Sequence, residues 1–198
     1  GKLVLRRHPV DLNDVMRDSV ETSRTSAEKH GLRIVEEYAE ELPPLVLDEV
    51  KMRQVVVNLL GNAIRFSPEG GEIVLRTRRE PDHFVIEVFD HGPGIPPEET
   101  PHIFELFGQG AQGREARDGG LGIGLHLVKR LSELHGGHVG VNTTPGEGST
   151  FWVRLPLTLA GQVGPSFSGL TRLLFNKYYI DELYERVLGR PLVWISER

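Results

Sequence analysis

Asn58–Gly71 reads NLLGNAIRFSPEGG. The run begins with helically spaced apolar residues and stops at a turn. On one face of that helix it places two asparagines, Asn58 and Asn62, one turn apart. Asn is a mediocre helix former, and its amide is costly to bury without partners. Each amide also offers a carbonyl oxygen, the neutral hard ligand that Mg²⁺ accepts beside water and phosphate oxygens. The plainer alternative is two amides capping a nearby loop, and the spacing alone favours it.

Outward from this stretch the elements follow in order. Asp48 caps the helix, which runs through Phe66 with Met52, Val55, Val56, Leu59 and Leu60 as its buried face. Upstream, Asp11 or Asn13 caps another helix ending near Gly31; Leu32–Tyr38 reads as a strand, and Leu45–Leu47 as a short extended piece after Pro43 and Pro44. Downstream, Glu72–Arg78 and Phe84–Asp90 form a hairpin. A third helix spans about Gly122 to His135, and His138–Thr143 with Ser149–Leu157 make a closing hairpin. The expected fold is α+β, a mixed sheet with helices on one face.

The chain has 198 residues, 38% of them apolar and 26% charged, enough for one good core and a small appendage. A net charge of -5 gives no general case for nucleic acid or an anionic membrane. There are no cysteines, so disulfides and thiolate metal sites are excluded. No stretch is apolar enough to span a bilayer, and no signal peptide is present. The opening residues GKLVLRRHPVDL read as the middle of a longer protein. Composition shifts after Leu157, which sets a first domain over 1–158 and a linker with a helical tail over 159–198.

Two glycine clusters add chemistry. In DHGPGI, Asp90–Ile95, an Asp closes an apolar strand, and Gly92 and Gly94 remove side chains where a flat ligand could approach the backbone. A carboxylate there accepts a hydrogen bond from the exocyclic amine of adenine, whereas guanine presents an acceptor at that position. An ordinary Asp-Gly turn is the common alternative. In GGLGIGLHLVK, Gly119–Lys129, Gly120, Gly122 and Gly124 alternate just before a helix, whose free N–H groups suit phosphate. The spacing is not that of a dinucleotide fold, and no GxxxxGK[ST] loop exists. Between the clusters, Gly108–Gly120 has almost no apolar side chains, which marks a functional or disordered loop.

Together these motifs resemble the catalytic domain of sensor histidine kinases, a resemblance covering about Gly1 to Leu157. NLLGNAIRFSP is similar to the N box, DHGPGI to the first glycine box, IFELF (Ile103–Phe107) to the phenylalanine box, and GLGIGL to the second glycine box. The resemblance implies the Bergerat fold, a two-layer sandwich with a mainly antiparallel mixed sheet, three helices on one face and a mobile lid over ATP. It implies that Asn62 ligates Mg²⁺, that Asn58 is a polar partner on the phosphate side, and that Arg65 is directed at phosphate. It makes Asp90 the adenine contact, with Gly92, Gly94 and Ile95 beneath the base and Phe66 beside it. Gly120, Leu121, Gly122, Ile123, Gly124 and Leu125 become the lid hinge and phosphate contact, and Phe104 and Phe107 the lid anchors.

Hydrolases of the same superfamily carry a Glu one turn before the metal-binding Asn. Here Asn58 stands there, and an amide is no general base. The nucleophile implied is a histidine on a separate helical-hairpin dimerisation domain, which none of the eight histidines matches; a response regulator receiver domain would take the phosphoryl group next. His8 is expected on the surface, and His135 with His138 at a helix-end turn rather than a metal. An Arg usual after the phenylalanine box is absent; Arg114 or Arg117 takes its place, or both are solvated. A cytoplasmic location, no nucleic-acid partner and no membrane insertion complete the expectation. The alternatives are an ATP-gated interaction module and an anti-sigma-type Ser/Thr kinase. The tail, Leu173–Ser196, resembles the C-terminal segment of the antiporter-like L subunit of respiratory NADH dehydrogenase; a fusion, a mis-joined sequence and coincidence each account for it.

Overall fold

The computed structural model describes residues 4–108 and 122–159. The chain divides into two units, Gly1–Gly161 and Gln162–Arg198, and the second lies outside the described residues, as do Gly120, Leu121, Arg114 and Arg117. The elements in order are β1 (His8–Val10), α1 (Leu12–Lys29), β2 (Arg33–Glu37), β3 (Leu45–Leu47), α2 (Glu49–Phe66), β4 (Glu72–Arg79), β5 (His83–Asp90), α3 (Gly124–Leu134), β6 (His138–Thr144) and β7 (Gly148–Pro156). A short 3₁₀ turn, Leu157–Leu159, follows and buries Leu159. The main sheet has the order β2-β4-β5-β7-β6, and β1 pairs with β3 apart from it. Among the described strands, β2 and β4 run parallel and the other ladders are antiparallel.

Three helices cover one face of this sheet, the α+β arrangement the sequence points to. Alternation along the strands turns Phe84, Ile86 and Val88 to the helices with Phe151, Val153 and Leu155, while α2 answers with Met52, Val55, Val56, Leu59 and Leu60. Each such side chain contributes roughly 1.5–3 kcal/mol by leaving water. Asp11 caps α1 through the Asn13 N–H, and Asp48 caps α2 through the Lys51 N–H. The open face carries charge instead. Glu37, Arg76, Glu87, Arg78, Glu80 and Arg154 form a chain of ion pairs from β2 to β7, ending with Arg154 stacked 4.7 Å over the Trp152 ring. The arginines are about half exposed, so each pair contributes only about 0.2–1 kcal/mol.

Strand β1 is a difference from the sequence reading, which saw only extended chain there. It forms because Leu45–Leu47 lies beside it, with His8 opposite Leu47. His8 is on the surface, as expected, 3.4 Å from Glu49. His135 has a larger part than a helix-end turn. It is 1% exposed; its Nδ1–H donates to the Leu131 carbonyl at 2.8 Å, and its Nε2 accepts the Asp48 N–H at 3.0 Å. One imidazole thus ties the end of α3 to the start of α2, and Arg7 adds a bond to the Leu134 carbonyl at 2.7 Å. Among the described residues no cluster of His, Asp and Glu could hold a metal ion.

Burial, above all, holds the His135 imidazole below its usual value. The folded chain therefore binds this proton less readily than the unfolded chain. The stabilisation is complete above the ordinary imidazole value of 6.5 and is lost as pH falls through it toward the lower folded value. His135→Gln is expected to melt roughly 3–6 °C lower than wild type at pH 7.5. The gap should narrow between pH 6.5 and 5 in thermal melts followed by circular dichroism; a constant gap would remove the proton linkage.

Candidate active site

Strand periodicity sets the site's carboxylate. Asp90 follows Phe84, Ile86 and Val88 on the helix-facing row of β5, so the strand ends by turning an acid inward. Asp90 is 4% exposed and accepts the Gly92 N–H at 2.8 Å. Burial pushes its carboxyl up from 3.8 to about 6, against the pull of the Gly92 backbone, His91 and the Ser149 backbone. The loop after it lies close to the end of α2: a Cβ on Gly92 would stand 3.0 Å from the Phe66 carbonyl oxygen. Gly94 has φ +71° and faces the Thr144 carbonyl so closely that a Cβ would come within 2.2 Å of its oxygen. At Gly94 the protein's own backbone fills the space, and at Gly92 the Asp90 carboxylate, 2.6 Å from such a Cβ, fills it first. Ile95 donates its N–H to Thr143 Oγ1 at 2.9 Å.

Helix α2 brings the polar face. Asn58, Asn62 and Arg65 follow helical spacing and are half-buried, and the Arg65 guanidinium sits 5.0 Å over the Phe66 ring. Asn58 Nδ2 donates to the Gln54 carbonyl at 2.7 Å, which fixes its amide and leaves Oδ1 turned to α3: a Cβ on Gly124 would stand 3.1 Å from that oxygen. Here α3 differs from the other two long helices. Its N-cap is Ile123 and, among the described residues, no side chain caps its first turn. The amide face of α2 and the uncapped start of α3 therefore meet, and Asp90 lies at the other end of α2 from Asp48, beside Phe66.

The remaining expected residues divide. Phe104 packs edge-on against Phe151 at 6.4 Å, and its carbonyl accepts from His126 Nδ1 at 3.2 Å, which ties this segment to the first turn of α3. Leu125 packs on the core. Phe107 is 66% exposed with φ 63°, and Ile123 is 41% exposed. Gly122, with φ +65°, lies against the backbone of Phe107, at 2.9 Å from a Cβ placed on it, and 3.1 Å from the Gly108 carbonyl oxygen. Sequence reasoning missed Thr143 and Ser149, two hydroxyls of the closing hairpin joined at 2.9 Å. Their signal was inward placement on alternating strands that otherwise point apolar residues inward.

A chemical capacity follows from this layout. A buried carboxylate, amide oxygens on one helix face and a helix start without a side-chain cap suit a base, a hard cation and phosphates respectively. Comparison with known proteins gives the family. Residues 47–159 match the family described as histidine kinase-, DNA gyrase B-, and HSP90-like ATPase. The alginate biosynthesis sensor protein KinB of Pseudomonas aeruginosa is 40% identical over 147 residues, 74% of this chain and 24% of that protein. Sensor histidine kinase GacS of Pseudomonas protegens is 37% identical over 163 residues, 79% of this chain and 18% of that protein. The chain thus spans about a quarter or less of the length of these relatives. Full-length ShkA in complex with AMPPNP superposes with a TM-score of 0.69 at 33% identity, over 79% of this chain and 32% of that one. The mycobacterial sensor histidine kinase MprB gives 0.63 at 29% identity, over 76% and 97%. With more than half its length matched to the family and its described fold shared with two sensor kinases, the chain belongs to the histidine kinase-, DNA gyrase B-, and HSP90-like ATPases.

Proposed function

We propose that this chain is the catalytic ATP-binding domain of a sensor histidine kinase, which passes the γ-phosphoryl group of ATP to a histidine on a hairpin domain of the same protein. A receiver domain of a response regulator is the onward acceptor, and the site works in the cytoplasm. The observation that carries this reading is the meeting of Asn58 Oδ1 with Gly124, because it sets an amide side chain of α2 against the start of a helix that no side chain caps. Asp90 accepts the adenine amine, and Phe66 and the Gly92–Ile95 backbone shape the base site. Donors at the start of α3 and Arg65 take phosphate charge.

The residues present fit a magnesium ion. Asn62 supplies a neutral amide oxygen on the face that carries Asn58, and phosphate oxygens and water would complete the coordination. Bound there, Mg²⁺ would neutralise phosphate charge. An imidazole nitrogen of the incoming histidine attacks the γ-phosphorus, the bond to the β,γ-bridging oxygen breaks, and ADP leaves. Alignment and charge neutralisation supply most of such catalysis. Asn58 has no useful basicity and its amide is already held by Gln54, so water is not activated at that position. ATP waits for the histidine.

Calorimetric titration of the purified chain with ATP, with and without Mg²⁺, tests the pocket. Binding that strengthens with Mg²⁺, together with slow unaided hydrolysis, is expected. Supplying a cognate hairpin domain with labelled ATP should yield acid-labile phosphohistidine. Acid-stable phosphoprotein would favour the Ser/Thr kinase alternative, and brisk hydrolysis would overturn the assignment.

A further inference from the structure

The helix-facing side of the sheet ends in a polar rung. Across β4, β5, β7 and β6 the register aligns Ile73, Asp90, Ser149 and Thr143. The next rung is Leu75, Val88, Phe151 and Val141, all apolar. Three adjacent polar side chains on the face of a core need a reason beyond packing, because buried polar groups cost free energy unless paired.

Their hydrogen bonds have a direction. Thr143 Oγ1 donates to the Gly148 carbonyl at 3.0 Å, accepts the Ile95 N–H at 2.9 Å, and lies 2.9 Å from Ser149 Oγ. A hydroxyl has one proton, and that of Thr143 is committed to Gly148. The geometry of the pair admits either hydroxyl as donor, and with the Thr143 proton on Gly148 the donor is Ser149. Its proton points at Thr143, and only lone pairs are left for any other neighbour. The same Thr143 oxygen fastens the far end of the Asp90–Ile95 loop, while Pro93 is held in its middle by the Gly146 N–H at 2.8 Å.

We propose that Thr143 is a positioning residue for base selection: it clamps the loop at Ile95 and orients the Ser149 hydroxyl so that Asp90 and Ser149 form an acceptor-only floor. Such a floor accepts the amino group of adenine and repels the carbonyl oxygen of guanine. The proposal rests on the adenine-nucleotide assignment above. Without the Thr143 hydroxyl, the Ile95 amide loses its partner. Ser149 is then free to rotate and donate, which makes the floor tolerant of guanine.

The test is calorimetric binding of ATP and GTP to wild type, Thr143→Val and Thr143→Ser, with amide exchange of Ile95 in the unliganded wild type read by NMR. Thr143→Val is expected to raise the Kd for ATP about five- to tenfold and to narrow the ATP/GTP ratio by a similar factor. Thr143→Ser, which keeps the hydroxyl, should restore both. A purely structural role would leave the ratio unmoved. The proposal is overturned if Thr143→Val keeps both values within about twofold of wild type, or if Thr143→Ser fails to restore them. Exchange of the Ile95 amide at the rate of an open loop overturns it too, and needs no variant to fold. If wild type ignores ATP, the functional assignment falls with it; if wild type binds and Thr143→Val is indifferent, only the role of Thr143 falls.

Discussion

Asp90→Asn is expected to melt several degrees above wild type at pH 7 and to bind ATP about ten- to a hundredfold more weakly. Both effects have one origin. Asp90 is 4% exposed, and burial lifts its carboxyl from 3.8 to about 6. The folded chain holds this proton more readily than the unfolded one. Stability from it is therefore fully present below 3.8 and lost as pH rises through about 6. At neutral pH the buried charge costs the fold about 3 kcal/mol, an upper figure that Asn avoids while still accepting the Gly92 N–H. What Asn loses is the charge that makes a hydrogen bond from the adenine amine worth roughly 1.5–3 kcal/mol. It can also rotate its NH₂ inward and welcome guanine. Paired melts and ATP/GTP titrations check this. In wild type alone, ATP affinity should fall as pH drops below about 6, as Asp90 takes up its proton. An unchanged ATP/GTP ratio in the variant would place the base elsewhere.

Asn62→Ala should abolish the Mg²⁺ dependence of ATP binding and lower phosphoryl transfer to a supplied hairpin domain by roughly a hundredfold or more. The fold should not suffer. Asn62 is half-buried on α2, and Ala is the better helix former by up to about 0.7 kcal/mol. Loss of function with an unchanged or slightly raised melting temperature separates a ligand from a packing residue. Asn62→Asp retains a hard oxygen ligand and should keep most of the metal dependence. If Asn62→Ala keeps its response to Mg²⁺, the cation is held by other groups.

The sequence showed the elements whose cause is local. Asp48 followed by Met52, Val55, Val56, Leu59 and Leu60 announces α2 by cap and period, and the amides of Asn58 and Asn62 sit one turn apart beside that apolar row. Strands β4 and β5 announce themselves by their runs of Ile, Val, Leu and Phe. What could not be read is what distant segments impose. β1 has three residues and exists only because Leu45–Leu47 pairs with it. His135 looks like a helix-end residue until the fold brings the Asp48 amide to its Nε2. Thr143 and Ser149 are the polar members of rows that otherwise carry Val139, Val141, Phe151, Val153 and Leu155. What the sequence does not show is the register that aligns both with Asp90. The start of α3 was expected two residues early, at Gly122, because glycine spacing says where a chain can bend and not where its helical bonds begin; the helix starts at Gly124.

The contact of Gly122 with Phe107 and Gly108 has a consequence for how this architecture tolerates length. The two anchors of the segment between them touch, so whatever joins them starts and finishes at one point. Closing such a loop costs entropy only as the logarithm of its length, about 0.6 kcal/mol for each doubling. Insertions and deletions between Gly108 and Gly122 therefore barely strain β5, β7 or α3. Evolution can rewrite that stretch, and a protein engineer can splice a reporter into it, while the hydrogen-bond register on either side stays as it is.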